Sequence, residues 1–187
     1  MKSLMSLAVA VAMLCTSAAI AEEVKSGLQE GESIGAFYVT KVCGAEEDNV
    51  PSNENLCYRC KNGSRPQVIV FTRSTDDKVV SLVKKLDAQV SKNEEAQLRA
   101  FVNMLGDSKE AATDEVKKLA AATKAKSIPF VVPNENENGP DNYGINPKAE
   151  VTIIFANDGK VVANWAVSKV ADLDVDLALK AVKKAMN

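Results

Sequence analysis

The 187-residue sequence contains no histidine. Every mechanism that needs an imidazole is therefore excluded, Ser-His-Asp hydrolysis and Cys-His proteolysis among them. Haem attachment through CxxCH fails for the same reason, because Lys61 follows Cys60. Cysteine is scarce: of 4 in the chain, Cys15 lies near the N-terminus, leaving Cys43, Cys57 and Cys60. That set is too small for the Cys/His ligand shell of a structural zinc, and the sequence calls for no metal and no other cofactor. The acidic residues Glu135, Glu137 and Asp141 lack the spaced ligands and turn glycine of a calcium loop and read as a solvated loop. Charge of one sign is lacking too. The 23 Lys and Arg are interspersed with 25 Asp and Glu, so no basic stripe exists to hold phosphates and no nucleic-acid partner is expected. After the first residues no segment is apolar enough to cross a membrane, so the mature chain should carry no integral membrane segment.

What is present begins with an export signal. Met1-Lys2 is a short positive start, Leu4 to Leu14 is apolar apart from Ser6, and Ala19-Ile20-Ala21 supplies the small-x-small pattern for signal peptidase. Residues 1–21 therefore read as a signal peptide cleaved after Ala21, and the protein as periplasmic or secreted. An uncleaved anchor would need roughly 20 apolar residues, more than this run offers. A lipoprotein site at Cys15 is disfavoured by Leu14, where that processing wants a small residue. Residues 22–187 have the length of one domain with a real core.

Along that domain, Ser33 to Val42 reads as a first strand, and residues 44–66 as a long, turn-rich loop bearing the Cys57/Cys60 pair near its end. Gln67 to Thr72 is a continuous apolar run, expected as a strand buried on both faces. Ser74, Thr75 and Asp76 can cap the next helix, on which Val79, Val80, Val83, Leu86 and Val90 recur at helical spacing. Leu98 to Leu105 is a further strand. A helix opening at Asp107, with Glu110 in a capping box, runs to about Lys124. Ile128 to Val132 is a short strand. Val151 to Ala156 and Val161 to Val167 form a hairpin across Asn157-Asp158-Gly159-Lys160, whose Asp-Gly supplies the positive φ of a tight turn. Asp172 can cap a last helix. Strands alternating with helices imply parallel crossovers, and the hairpin adds an antiparallel edge. The class is α/β: a mixed central sheet flanked by helices, closed by a hairpin and a helix.

In order and spacing these segments resemble the thioredoxin-like superfamily, in particular its redoxin branch of peroxiredoxin-like and TlpA-like proteins. The residues that carry the resemblance are Ile34-Gly35-Ala36-Phe37, Gln67 to Phe71, Ile128 to Val132 followed by Tyr143-Gly144-Ile145, and Thr152 to Phe155 followed by Asp158 to Val162. It implies a thioredoxin-like fold with a core of about residues 33–187. It does not bring the activity with it. Where these families place a CxxC, just after the Phe71 strand, this chain reads Thr72-Arg73-Ser74-Thr75-Asp76-Asp77, and the peroxiredoxin Pro-x-x-x-Thr-x-x-Cys pattern is absent. The proline expected before the hairpin strand is replaced by Glu150 or Val151, unless Pro147 fills that place.

Cys57 and Cys60 have the spacing of a reversible dithiol, and Arg59, Lys61 and Arg65 would favour a thiolate. Two readings stay open. In one, the pair is a displaced redox centre that exchanges with protein thiols or disulfides, Cys57 attacking by analogy with the first cysteine of a CxxC. In the other, the pair is a structural disulfide in a catalytically silent binding module. A CxxC ring is too small to stabilise much through chain entropy, which favours exchange. The absence of a helix N-terminus at the pair, as the sequence reads, favours the silent module. Cys43 could pair with either cysteine or stay reduced as a small apolar residue. Asp76 and Asp77 read as helix cap and dipole partners, and Trp165 and Tyr143 as packing residues. Arg73 reads as a solvated cation standing where an anion could be met. The sequence specifies no oligomeric state.

Overall fold

The computed structural model describes residues 24–186; the expected signal peptide lies outside the described residues. The centre is β3 (Gln67–Thr72), buried at all six positions. Its period of two divides the core. Val68 and Val70 face one side of the sheet, Ile69 and Phe71 the other. β3 is flanked by β4 (Arg99–Met104) in parallel and by β6 (Val151–Asn157) in antiparallel register. With β1 (Val39–Cys43), β2 (Asn55–Leu56), β5 (Phe130–Pro133) and β7 (Lys160–Val167) they form one sheet of order β2-β1-β5-β4-β3-β6-β7. The β6–β7 turn places Asp158 at φ 48° and Gly159 at φ 73°, as the Asp-Gly pair predicts.

One face of the sheet carries the three long helices of the described residues. α2 (Asp77–Lys92) presses Val79, Leu82, Val83, Leu86 and Val90 onto it; α3 (Lys109–Thr123) adds Val116 and Leu119; α4 (Val175–Met186) adds Ala178 and Val182. Each fully buried aliphatic side chain is worth about 1.5–3 kcal/mol. Among the described residues the opposite face has no long helix. It is filled by aromatic side chains on loops and short elements: Phe37, Tyr58 and Tyr143 against Phe71 and Phe101.

Several boundaries differ from the sequence reading. The first strand starts at Val39, not Ser33; residues before it are held by loop side chains, Tyr143 Oη donating to Gly35 O (2.9 Å) and Asn142 Nδ2 to Ala36 O (3.2 Å). Ser108, rather than Asp107, caps α3, its Oγ accepting from Ala111 N at 3.1 Å. Asp174, not Asp172, caps α4 by accepting from Leu177 N at 2.9 Å, while Asp172 ends a 3-10 turn, Val170–Asp172. Asp76 caps α2, its Oδ1 accepting from Lys78 N at 3.0 Å.

The largest difference falls on residues 44–66. This stretch is not a plain loop. Gly44, at φ 78°, turns the chain off β1 where a Cβ would lie 2.3 Å from Ile128 O. A 3-10 turn (Glu46–Asp48), the edge strand β2 and a short helix α1 (Tyr58–Asn62) follow.

Candidate functional site

Cys57 is the N-cap of α1. Its backbone is extended (φ −102°, ψ 98°), and Lys61 N donates to its carbonyl at 2.9 Å. Its Sγ accepts from Cys60 N at 3.0 Å. The two sulfurs form a disulfide, with the Cα atoms 5.2 Å apart. The pair therefore does have a helix N-terminus, contrary to the loop reading. That N-terminus is short, but its N–H is aimed at sulfur, and such a donor favours the thiolate over the thiol. Exposure is asymmetric. Cys57 is 8% exposed, whereas Cys60 is an exposed residue.

A set of contacts that the sequence does not announce holds α1 in place. Tyr58 stacks on Phe101 with ring centroids 5.6 Å apart, and its hydroxyl donates to Asp48 Oδ2 at 2.5 Å. Burial, first, and then the hydrogen bond and charge of Asp48 push the Tyr58 phenol well above its ordinary range. The other oxygen of Asp48 meets Lys41 Nζ at 2.7 Å, and Lys41, 2% exposed, also donates to Val50 O and Ala45 O. On the other side, Arg59 Nε donates to Ile34 O at 2.9 Å. The signal for Lys41 was in the sequence: it shares strand parity with the inward Val39, a position where a lysine must find a buried partner.

α1 precedes the N-terminal end of β3, whereas α2 starts beyond its C-terminal end. The disulfide thus lies ahead of β3 in the chain, not directly after it where the resembled families carry theirs. At that latter place Arg73 is half-buried, donates Nη1 to Glu137 O at 2.7 Å, and has its pKa lowered by burial. Arg73 N is bonded to Glu150 O, so Glu150 stands beside it at the start of β6 and Pro147 lies farther back.

The remaining candidates do not join the disulfide. Cys43 is free and half-buried at the end of β1 opposite Phe130, and burial pushes its thiol up, against the opposing pull of Lys117 and Lys41. Tyr143 is fully buried, 4.7 Å from Phe37 and 5.7 Å from Phe71 between ring centroids. Trp165 is half-buried on β7. Among the described residues no group of His, Cys, Asp and Glu is placed to hold a metal ion, and no helix is long and apolar enough to cross a membrane.

No protein-family model matches the sequence, and no curated protein matches it. Solved structures do. A protein described as thiol:disulfide interchange protein DsbE from Chlorobium tepidum superposes with a TM-score of 0.61 at 14% identity, over 86% of this chain and 99% of that one. Mycobacterium tuberculosis AhpC gives 0.59 at 12% identity, over 86% and 99%. The exposed lipoprotein thioredoxin Etrx1 of Streptococcus pneumoniae gives 0.53 at 14%, over 80% and 99%. The fold is thioredoxin-like: a mixed seven-stranded sheet with four helices, shared with redoxins across nearly their full length.

Proposed function

We propose that this chain is an exported thiol–disulfide exchange protein that works through Cys57 and Cys60, a pair that precedes the central strand β3 in the chain. One observation carries the reading: the exposed Cys60 is bonded to a sheltered Cys57 whose sulfur already accepts a backbone N–H. That is the polarity an exchange reaction needs. A substrate thiolate attacks Cys60 Sγ, the Cys57–Cys60 bond breaks, and the electron pair leaves on Cys57 Sγ, where Cys60 N–H stabilises it. A leaving thiol of lower pKa leaves faster. In the reverse direction the Cys60 thiolate attacks a substrate disulfide, and Cys57 resolves the mixed disulfide. Exposure thus gives Cys60 the role that analogy with the first cysteine of a CxxC gives to Cys57. Partners are protein thiols or disulfides, a chemistry named for the DsbE-like neighbour. Export is supported by the N-terminal signal pattern and by the disulfide itself, since such bonds persist outside the reducing cytoplasm.

A second reading, a silent thioredoxin-fold module with a structural disulfide, is favoured by the cysteine-free sequence Thr72 to Asp77 and by the shelter of Cys57. Equilibration against glutathione, read by mass spectrometry, separates the two. Exchange requires a reduction potential between about −120 and −270 mV; a value below about −300 mV marks a structural bond and sinks the exchange reading.

A further inference from the structure

The short helix α1 has two sides. Arg59 and Cys60 lie on one, where Arg59 Nε is bonded to Ile34 O. Tyr58, Lys61 and Asn62 share the other at helical spacing and line a cleft of about 610 Å3 that neither cysteine lines. The rest of the lining comes from distant parts of the chain, among them Glu47, Glu94, Arg99 and Lys126, with Arg65 following α1. Four cations, Lys61, Arg65, Arg99 and Lys126, thus share one concave space with the carboxylates of Glu47 and Glu94. Among the described residues none of these six is in an ion pair. Asp48 also lines the cleft, but its charge is met by the buried Lys41 at 2.7 Å.

The two arginines are held by neutral acceptors only. Arg65 donates to Gln97 Oε1 at 2.8 Å and to the carbonyls of Lys61 and Asn62 at 3.3 Å; Arg99 donates to Leu98 O at 3.0 Å. Their charge is left without a counter-charge. Asn62 is a second, independent sign. It is 7% exposed, yet the one bond of its side chain among the described residues is a long one, from Nδ2 to Gln67 Oε1 at 3.5 Å. A sheltered amide on the cleft wall therefore keeps an oxygen and an N–H without protein partners, and such groups are normally satisfied.

We infer that this cleft binds a small carboxylic acid with two or three acid groups. The cations come from three separate stretches, residues 61–65, 99 and 126, which suits charges spread along a short skeleton rather than the single dense charge of a phosphate. Glu47 and Glu94 between them oppose a compact anion and can accept from a hydroxyl or ammonium group on the same ligand. Asn62 supplies a neutral donor and acceptor. The volume falls in the range of about 300–1,000 Å3 typical of small-molecule sites. Because the sulfurs are on the other side of α1, the site stands whether or not the disulfide exchanges.

The test is calorimetric titration of the oxidised protein at low ionic strength with citrate, succinate and glutamate, beside inorganic phosphate and uncharged glycerol. At least one of the three acids should bind saturably, added salt should weaken it, and glycerol should give no heat of binding. Lys126 is exposed and its backbone N–H groups with Ser127 bond to Asp87, a contact that substitution of the side chain keeps. Lys126→Glu should raise the Kd for that acid by at least about threefold with an unchanged thermal midpoint. Lys61→Glu, on the α1 wall, should do the same and repeats the reading should the Lys126→Glu midpoint move. Absence of binding by all three acids, an unaltered Kd in both folded variants, or phosphate binding as tightly as the best acid overturns the assignment.

Discussion

At the scale of single residues, Lys41 joins the fold to the site. An ammonium group 2% exposed is tolerable only if its protons are used, and here they are: Asp48 Oδ1, Val50 O and Ala45 O accept at 2.7, 2.8 and 3.1 Å. Asp48 in turn holds Tyr58, and Tyr58 follows Cys57 directly. The three side chains thus fix the first turn of α1 against β1 and so fix the sulfur that caps it. Removing one partner of such a pair strands the other without compensation. Lys41→Met is therefore expected to destabilise the protein by about 3–5 kcal/mol, read as a fall in the urea midpoint. Tyr58→Phe keeps the stacking on Phe101 and loses only the hydrogen bond to a carboxylate, so a smaller loss of about 1.5–3 kcal/mol is expected. Equal midpoints for Lys41→Met and the parent would show that the pair holds nothing.

At the scale of elements, the segment 24–34 behaves as a strap along β7 and the inner face of the sheet. Gly31 N and Val161 O, Val161 N and Glu32 O, and Ile34 N and Gly159 O are paired at 2.8–2.9 Å. Asn164 Nδ2 donates to both Ser26 O and Leu28 O, and Ser26 Oγ meets Thr152 Oγ1 at 2.6 Å. β7 is the last strand of the sheet, so these bonds occupy N–H and C=O groups that would otherwise be open to pairing with another chain. Deleting residues 22–32 should lower the thermal midpoint and bring larger species into size-exclusion profiles; an unchanged elution volume and midpoint would deny the strap that role. The strap was not legible in the sequence because its bonds run to residues more than a hundred positions away, and nothing in its own periodicity announces them. The central strands were legible for the converse reason. Gln67 to Thr72 and Val151 to Ala156 are apolar on both faces, which only a covered sheet explains, and Asp158-Gly159 fixes the turn between β6 and β7. The site fell between these cases. Cys57 and Cys60 were found by spacing, but α1 is only five residues long, too short to show a helical period, and its donor to sulfur is a backbone group that no side-chain pattern reports.

At the scale of the whole molecule, the two faces of the sheet are stabilised differently, and pH separates them. The helical face is mostly aliphatic, with Phe130 and Phe155 among its buried residues; it buries no phenol, and the half-buried thiol of Cys43 packs against it. The opposite face buries two phenols, Tyr58 and Tyr143, both shifted upward, chiefly by desolvation. A folded-state pKa above the unfolded value gives stability that is complete below the unfolded pKa and is lost as pH rises beyond it. In the unfolded chain both phenols release their protons near their ordinary value of about 10, while in the folded chain they keep them. Above about pH 10 the folded state therefore binds more protons, and stability must fall with a slope approaching about 2.7 kcal/mol per pH unit for two groups. Titrating the urea midpoint from pH 8 to pH 11 should give little tyrosine-dependent change up to the phenol range and a steep fall beyond it. Tyr58→Phe removes one of the two groups and should halve the tyrosine part of that slope, to about 1.4 kcal/mol per pH unit. An identical alkaline slope in Tyr58→Phe and the parent would mean that the phenol beside the disulfide is not sealed in the aromatic face, and that α1 opens to solvent before the sheet does.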